Sequence, residues 1–93
     1  MTENLMTKLN AEDTALLIKL SQVREDDNPG ETITYFINKL YADLVWLKCL
    51  SYKRFITTEQ QLKLIAKYHD LSEAEQLRNI LYEACDFEGV PLL

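Results

Sequence analysis

Residues 28–50, NPGETITYFINKLYADLVWLKCL, open on a dense helix-start signal. Asn28 can cap free backbone N–H groups, Pro29 suits the first helical position, and Glu31 lies three residues past the cap, where it can reach back to the cap's own N–H. Ile33, Phe36, Ile37, Leu40, Leu44 and Leu47 recur at intervals of three and four, so they share one helical face. A second apolar set, Tyr35, Ala42, Val45, Trp46 and Cys49, covers much of the remaining circumference. A helix apolar on most of its sides is normally surrounded by neighbours. The spacing therefore predicts a central helix at residues 29–50. A bilayer span needs a comparable length, but Asn38, Lys39, Asp43 and Lys48 interrupt this one, which argues against a membrane segment.

On the N-terminal side, Leu5, Met6 and Leu9 fit either a short strand, with Leu5, Thr7 and Leu9 on one side, or a helical turn. Asn10 reads as a cap with Asp13 three residues on. Leu16, Leu17, Leu20 and Val23 then form a stripe through a helix of residues 11–25, widened by Ala15 and Ile18. Arg24-Glu25-Asp26-Asp27 reads as a solvated polar turn.

On the C-terminal side, residues 51–56 form a connection with basic and aromatic residues. Thr57 and Thr58 are candidate caps, with Gln60 or Gln61 completing a capping box. The inner face of the following helix is Leu62, Ile65, Ala66 and Tyr68, and Lys63 and Lys67 lie outside. His69 falls at its end, a place for dipole compensation rather than base catalysis. Ser72 and Glu75 form another capping box. Leu77, Ile80, Leu81, Ala84 and Cys85 line the last helix, and Gly89 and Pro91 stop it.

The 93 residues are 47% hydrophobic and 27% charged, with two glycines and two prolines, a composition suited to a packed helical domain and not to a disordered chain. The sequence thus predicts an all-α compact single domain over residues 1–93, a bundle of four to six short and medium helices around the central one. The net charge of −5 disfavours non-specific nucleic-acid binding and favours basic protein surfaces. That charge is unevenly distributed. Residues 1–45 carry four Lys/Arg against eight Asp/Glu, residues 46–68 five against one, and residues 69–93 one against six. The basic set, Lys48, Lys53, Arg54, Lys63 and Lys67, can meet phosphate, an acidic protein patch or the chain's own acidic helices. Cys49 and Cys85 occupy apolar helical positions and read as reduced core thiols, which with no charged-then-apolar leader points to a cytoplasmic location. No glycine-rich phosphate loop, His–carboxylate pair or metal-ligand spacing is visible, so neither an enzyme nor a cofactor or metal is expected. Binding through an apolar helical face is the expected activity.

Three segments together resemble the AsiA-like anti-sigma factors of T-even-type bacteriophages. They are Leu16-Leu17-Ile18-Lys19-Leu20-Ser21 with Arg24-Glu25-Asp26 close behind, Phe36-Ile37-Asn38 with its hydrophobic spacing, and Leu71-Ser72 with the helix that closes in Phe87-Glu88-Gly89-Val90. They follow the family's order and cover about two thirds of the chain; residues 42–61 do not match, and the first ten match poorly. The resemblance implies an all-helical fold and binding to region 4 of the primary sigma factor of the host's RNA polymerase, in the host cytoplasm. It implies a homodimer when sigma is absent, loss of −35 promoter recognition, and redirection to phage middle promoters with a phage co-activator. Carried over by position, the partner-binding set is Leu16, Leu17, Lys19 and Leu20 on the first helix and Phe36 and Leu40 on the central one.

Two other classes compete. In a ribbon-helix-helix DNA-binding regulator, residues 4–9 would be the strand, with Asn4, Met6 and Lys8 facing the major groove and helices at 11–26 and from 28 onward. Only Lys8 is basic on that ribbon, beside Glu3, Glu12 and Asp13, which is little phosphate-neutralising charge. A helical immunity or inhibitor protein with another target would equally suit the central helix and basic turn.

Overall fold

Each helix begins where a short polar side chain can accept from a backbone N–H three residues ahead. In the computed structural model, which describes residues 5–92, Asn10 accepts from Asp13 N (2.8 Å) and Asn28 from Glu31 N (3.0 Å). Thr57 accepts from Gln60 N and Ser72 from Glu75 N, both at 3.1 Å, and in these two the third residue's side chain returns the bond to the cap N–H. At Asn28 the return differs from expectation: Glu31 accepts from Asp27 N, one residue earlier (3.1 Å). The helices so opened are α1 (Ala11–Arg24), α2 (Pro29–Trp46), α3 (Thr58–His69) and α4 (Glu73–Glu88).

They also end alike. Glu25, Lys48, Asp70 and Gly89 adopt the left-handed conformation, with φ of 61°, 64°, 58° and 74°. The residue after each donates back across the last turn: Asp26 to Ser21 O, Cys49 to Leu44 O, Leu71 to Ala66 O and Val90 to Cys85 O. This is the Schellman closure, and at three of the four sites it is made without glycine. Lys48 in this role is why α2 stops at Trp46 rather than at residue 50.

Leu5 and Met6 are helical, and Lys8 N and Leu9 N bond to Leu5 O and Met6 O, so residues 5–9 form a turn and not a strand. Asn4, the first residue of the ribbon reading, lies outside the described residues. Among the described residues the structure is all helical, with no strand.

One cluster of buried side chains gathers Leu17 and Leu20 of α1, Ile33, Phe36, Ile37, Tyr41 and Leu44 of α2, Leu62 and Ile65 of α3, and Leu77, Ile80, Leu81 and Cys85 of α4, with Leu5, Leu9 and Val90 closing its ends. α2 touches the other three helices, as expected of a central element, but α4 does so as well. The centre is a pair. Consequently α2 buries one face only: of its second apolar set, Tyr35, Ala42 and Trp46 are exposed while Val45 and the following Cys49 are half-buried. On α3, Tyr68 is likewise exposed rather than inward.

Polar ties join α1 to α4 in the same ascending order along both helices. Lys8, just ahead of α1, reaches Glu73 (3.7 Å). Asp13 accepts from the Tyr82 hydroxyl (2.7 Å) and faces Arg78 Nε at 2.8 Å. Arg24 reaches Glu88 (2.7 Å). The two helices therefore run in the same sense. The Arg78 contact is an ion pair out of line with its N–H, which leaves the second Asp13 oxygen without a directed hydrogen bond. Among the described residues no helix is long and apolar enough to cross a membrane.

Candidate functional site

Between α2 and α4 the surface opens into a groove of about 240 Å³. Phe36, Lys39, Leu40 and Asp43 line it from α2, and Ile80, Glu83, Ala84 and Phe87 from α4. Both sets recur at three and four residues, so each helix contributes one continuous ridge. Phe36, Ile80 and Ala84 are buried and Leu40 is half-buried, which makes the floor apolar; Lys39, Asp43 and Glu83 are exposed at the rim. Phe87 stands 73% exposed, with Lys39 Nζ 5.3 Å from its ring centre. The rim carries two carboxylates and one ammonium, and α4 adds further acids outside it.

The groove is held at one end by a polar knot. Arg24 donates to Asp26 (3.0 Å) and to Glu88 (2.7 Å), and its guanidinium lies 4.5 Å and 4.8 Å from the ring centres of Tyr35 and Phe36. Thr32, fully buried, donates its hydroxyl to Asp26 (2.7 Å). Thr32's hydroxyl is the main reason the Asp26 carboxyl titrates below its usual range, with Arg24 adding to it against the opposing effect of burial. Burial works against the charge on Arg24, but bonds to Asp26 and Glu88 outweigh it and raise its pKa. The run at residues 24–27 is therefore a structural lock in part, not only a solvated turn.

The six residues carried over by resemblance separate into groups. Phe36 and Leu40 line the groove. Lys19 is exposed and Leu16 half-buried on α1. Leu17 and Leu20 have no exposed surface and belong to the core, where α2 and α4 cover them, so the folded monomer cannot present them to a partner. Lys39, Asp43, Glu83 and Phe87 did not enter that set. The spacing of Lys39 and Asp43 relative to Phe36 and Leu40 was visible in sequence, whereas the facing ridge on α4 depends on a tertiary pairing that periodicity does not encode.

A second surface of different character lies between α2 and α3. Trp46 is 85% and Phe55 92% exposed, and Leu47 and Tyr52 are also largely in solvent. Tyr41 fastens this connection to α2, its hydroxyl donating to Ser51 O (3.3 Å) and accepting from Lys53 N (3.1 Å). The Cys49 thiol beside the Tyr68 hydroxyl raises the latter's pKa and places the end of α3 against the start of the connection. Among the described residues Lys48, Lys53, Arg54, Lys63 and Lys67 form no ion pair, so the chain's own acidic helices do not neutralise them. Cys49 and Cys85 are both free thiols, half-buried and buried, and burial pushes the Cys85 thiol up. Among the described residues no group of three His, Cys, Asp or Glu side chains is placed to hold a metal ion.

No family model, no curated protein and no solved structure matches this chain.

Proposed function

We propose that this chain is an anti-sigma factor of the AsiA type, which binds region 4 of the primary sigma factor in the host cytoplasm, blocks recognition of the −35 element and helps redirect RNA polymerase to phage promoters with a phage co-activator. The observation that carries the reading is the groove between α2 and α4. It places Phe36 and Leu40, the two central-helix residues that the resemblance assigns to sigma, on one apolar floor bordered by Asp43 and Glu83. An apolar channel between two ridges accepts the apolar face of a third helix. A DNA-binding region such as sigma region 4 is basic, and the acidic rim steers it and fixes its register. Of the α1 residues that the resemblance assigns, Lys19 and Leu16 are open to solvent in whole or in part, whereas Leu17 and Leu20 act from beneath by fixing α1 in place. In free protein the same groove is the surface through which two copies cover one another.

The test is titration calorimetry against the purified primary sigma factor and its isolated region 4. The expected outcome is a saturable complex. Leu40→Asp is expected to weaken it at least tenfold, because it places a charge on the apolar floor. Glu83→Lys, an exposed change that leaves the core untouched, is expected to slow association and weaken the complex most at low salt. Absence of binding by the parent chain, or unchanged affinity in both helical variants, would overturn the assignment.

A further inference from the structure

The connection between α2 and α3 presents a surface that the groove does not use. From Leu44 to Thr58 the chain has no Asp or Glu and carries three cations, Lys48, Lys53 and Arg54, in a protein whose net charge is −5. All three are exposed and none is in an ion pair among the described residues. Interleaved with them are Trp46, Tyr52 and Phe55, each more than two-thirds exposed. The Arg54 guanidinium already lies 5.0 Å from the centre of the Phe55 ring, a charged stack standing in solvent. The segment is fastened, not slack: Tyr41 bonds to both Ser51 and Lys53. Phe55 is held at φ 58°, a region that disfavours non-glycine residues and bulky ones most. Exposing that ring at a strained angle gives the folded monomer nothing, since it touches no core.

We propose that this surface, formed by Trp46, Lys48, Tyr52, Lys53, Arg54 and Phe55, binds single-stranded nucleic acid. The local cations require an anionic occupant. Three rings beside three cations match a chain that offers a phosphate and a flat unpaired base at each step, the combination by which single-strand binders work without sequence preference. Duplex DNA offers the phosphates but keeps its base faces stacked, out of reach of the three rings. An interfacial membrane anchor lays the apolar face of an amphipathic helix among the headgroups, and residues 47–57 of the connection are not helical. An acidic protein helix would use the cations and leave the ring faces without matching partners.

Trp46 is the only tryptophan, so the intact chain reports on its own surface. Oligothymidylate titrated at low salt is expected to quench Trp46 fluorescence by stacking. The affinity is expected to fall with salt at a log–log slope of about −2, three cations at about 0.7 each for single strands. Tyr52→Ala and Phe55→Ala are each expected to weaken binding by about fivefold or more, the lower end of one base-stacking contact. Lys53→Glu with Arg54→Glu is expected to abolish it. These side chains are exposed, and their circular dichroism is expected to match the parent's, the check that the fold is retained. Leu40→Asp is expected to bind oligothymidylate as the parent does, which separates this surface from the sigma-binding groove. Four results would overturn the proposal: no quenching; equal affinity for the duplex; a blue shift of Trp46 on phosphatidylglycerol vesicles with no response to oligothymidylate; or binding of polyglutamate alone.

Discussion

At the scale of single residues, Thr32 and Asp26, six positions apart, tie a local knot to a distant helix. The Thr32 hydroxyl is buried and donates to a carboxylate that also accepts from Arg24, which in turn holds Glu88, 64 positions away from it in sequence. Thr32→Val keeps the shape and removes the donor, and is expected to destabilise the fold at neutral pH by about 2 kcal/mol, the usual range for a hydrogen bond to a charged group. The pH dependence follows from the direction of the shift. Asp26 is more acidic folded than unfolded, so its contribution is present above the ordinary carboxylate range and is lost as the pH falls through the lowered value. Thermal melts of parent and variant should therefore differ most near neutrality and converge in strong acid; a gap independent of pH would mean that Thr32 acts through packing alone. Capping residues such as Asn10, Asn28, Thr57 and Ser72 were legible in sequence because donor and acceptor are three positions apart. Thr32 was not, because a threonine inside a helix is unremarkable until the partner that folds against it is known.

At the scale of elements, the helix starts were readable, and so were the ends near residue 25, at His69 and before Gly89; the end of α2 was not. Only Gly89 advertised a left-handed closure. Glu25, Lys48 and Asp70 make the same closure with ordinary side chains, so α2 reads four residues too long in sequence. Glycine adopts this conformation without the steric cost an L side chain meets, about 1–2 kcal/mol, although part of that gain is returned as unfolded-chain entropy. Glu25→Gly is accordingly expected to stabilise the protein by about 1 kcal/mol, read as an upward shift of the urea midpoint with unchanged slope. A loss of stability would show that the Glu25 side chain has a role that its exposure does not suggest. The amphipathic faces of α1, α3 and α4 were legible from spacing, and Leu17, Leu20, Leu62, Ile65, Leu77 and Leu81 are buried as the stripes require. What spacing could not tell is how wide a stripe the neighbours would cover. Ile18, Val23 and Tyr35 belong to apolar runs and yet remain open to solvent, because each helix meets its partners along one side.

For the molecule as a whole, an apolar groove with an acidic rim and a basic aromatic connection are presented by one small acidic body. Such a body should respond to its own concentration. Sedimentation of the free protein is expected to show a reversible dimer, and Leu40→Asp a monomer, since a charge on the floor of the groove disfavours the dry contact. A dimer that persists in Leu40→Asp would place self-association on another face. Neither ridge of the groove was hidden in sequence, but their juxtaposition was, and so was the burial that removes Leu17 and Leu20 from any surface role. The parallel ties between α1 and α4 carry one more consequence. During synthesis α2 follows the first helix directly and can cover part of its oily side, but the remainder waits until Tyr82 and Glu88 arrive to clasp Asp13 and Arg24. The core is accordingly expected to close only once the last helix has emerged, with the leading segment open to chaperones until then.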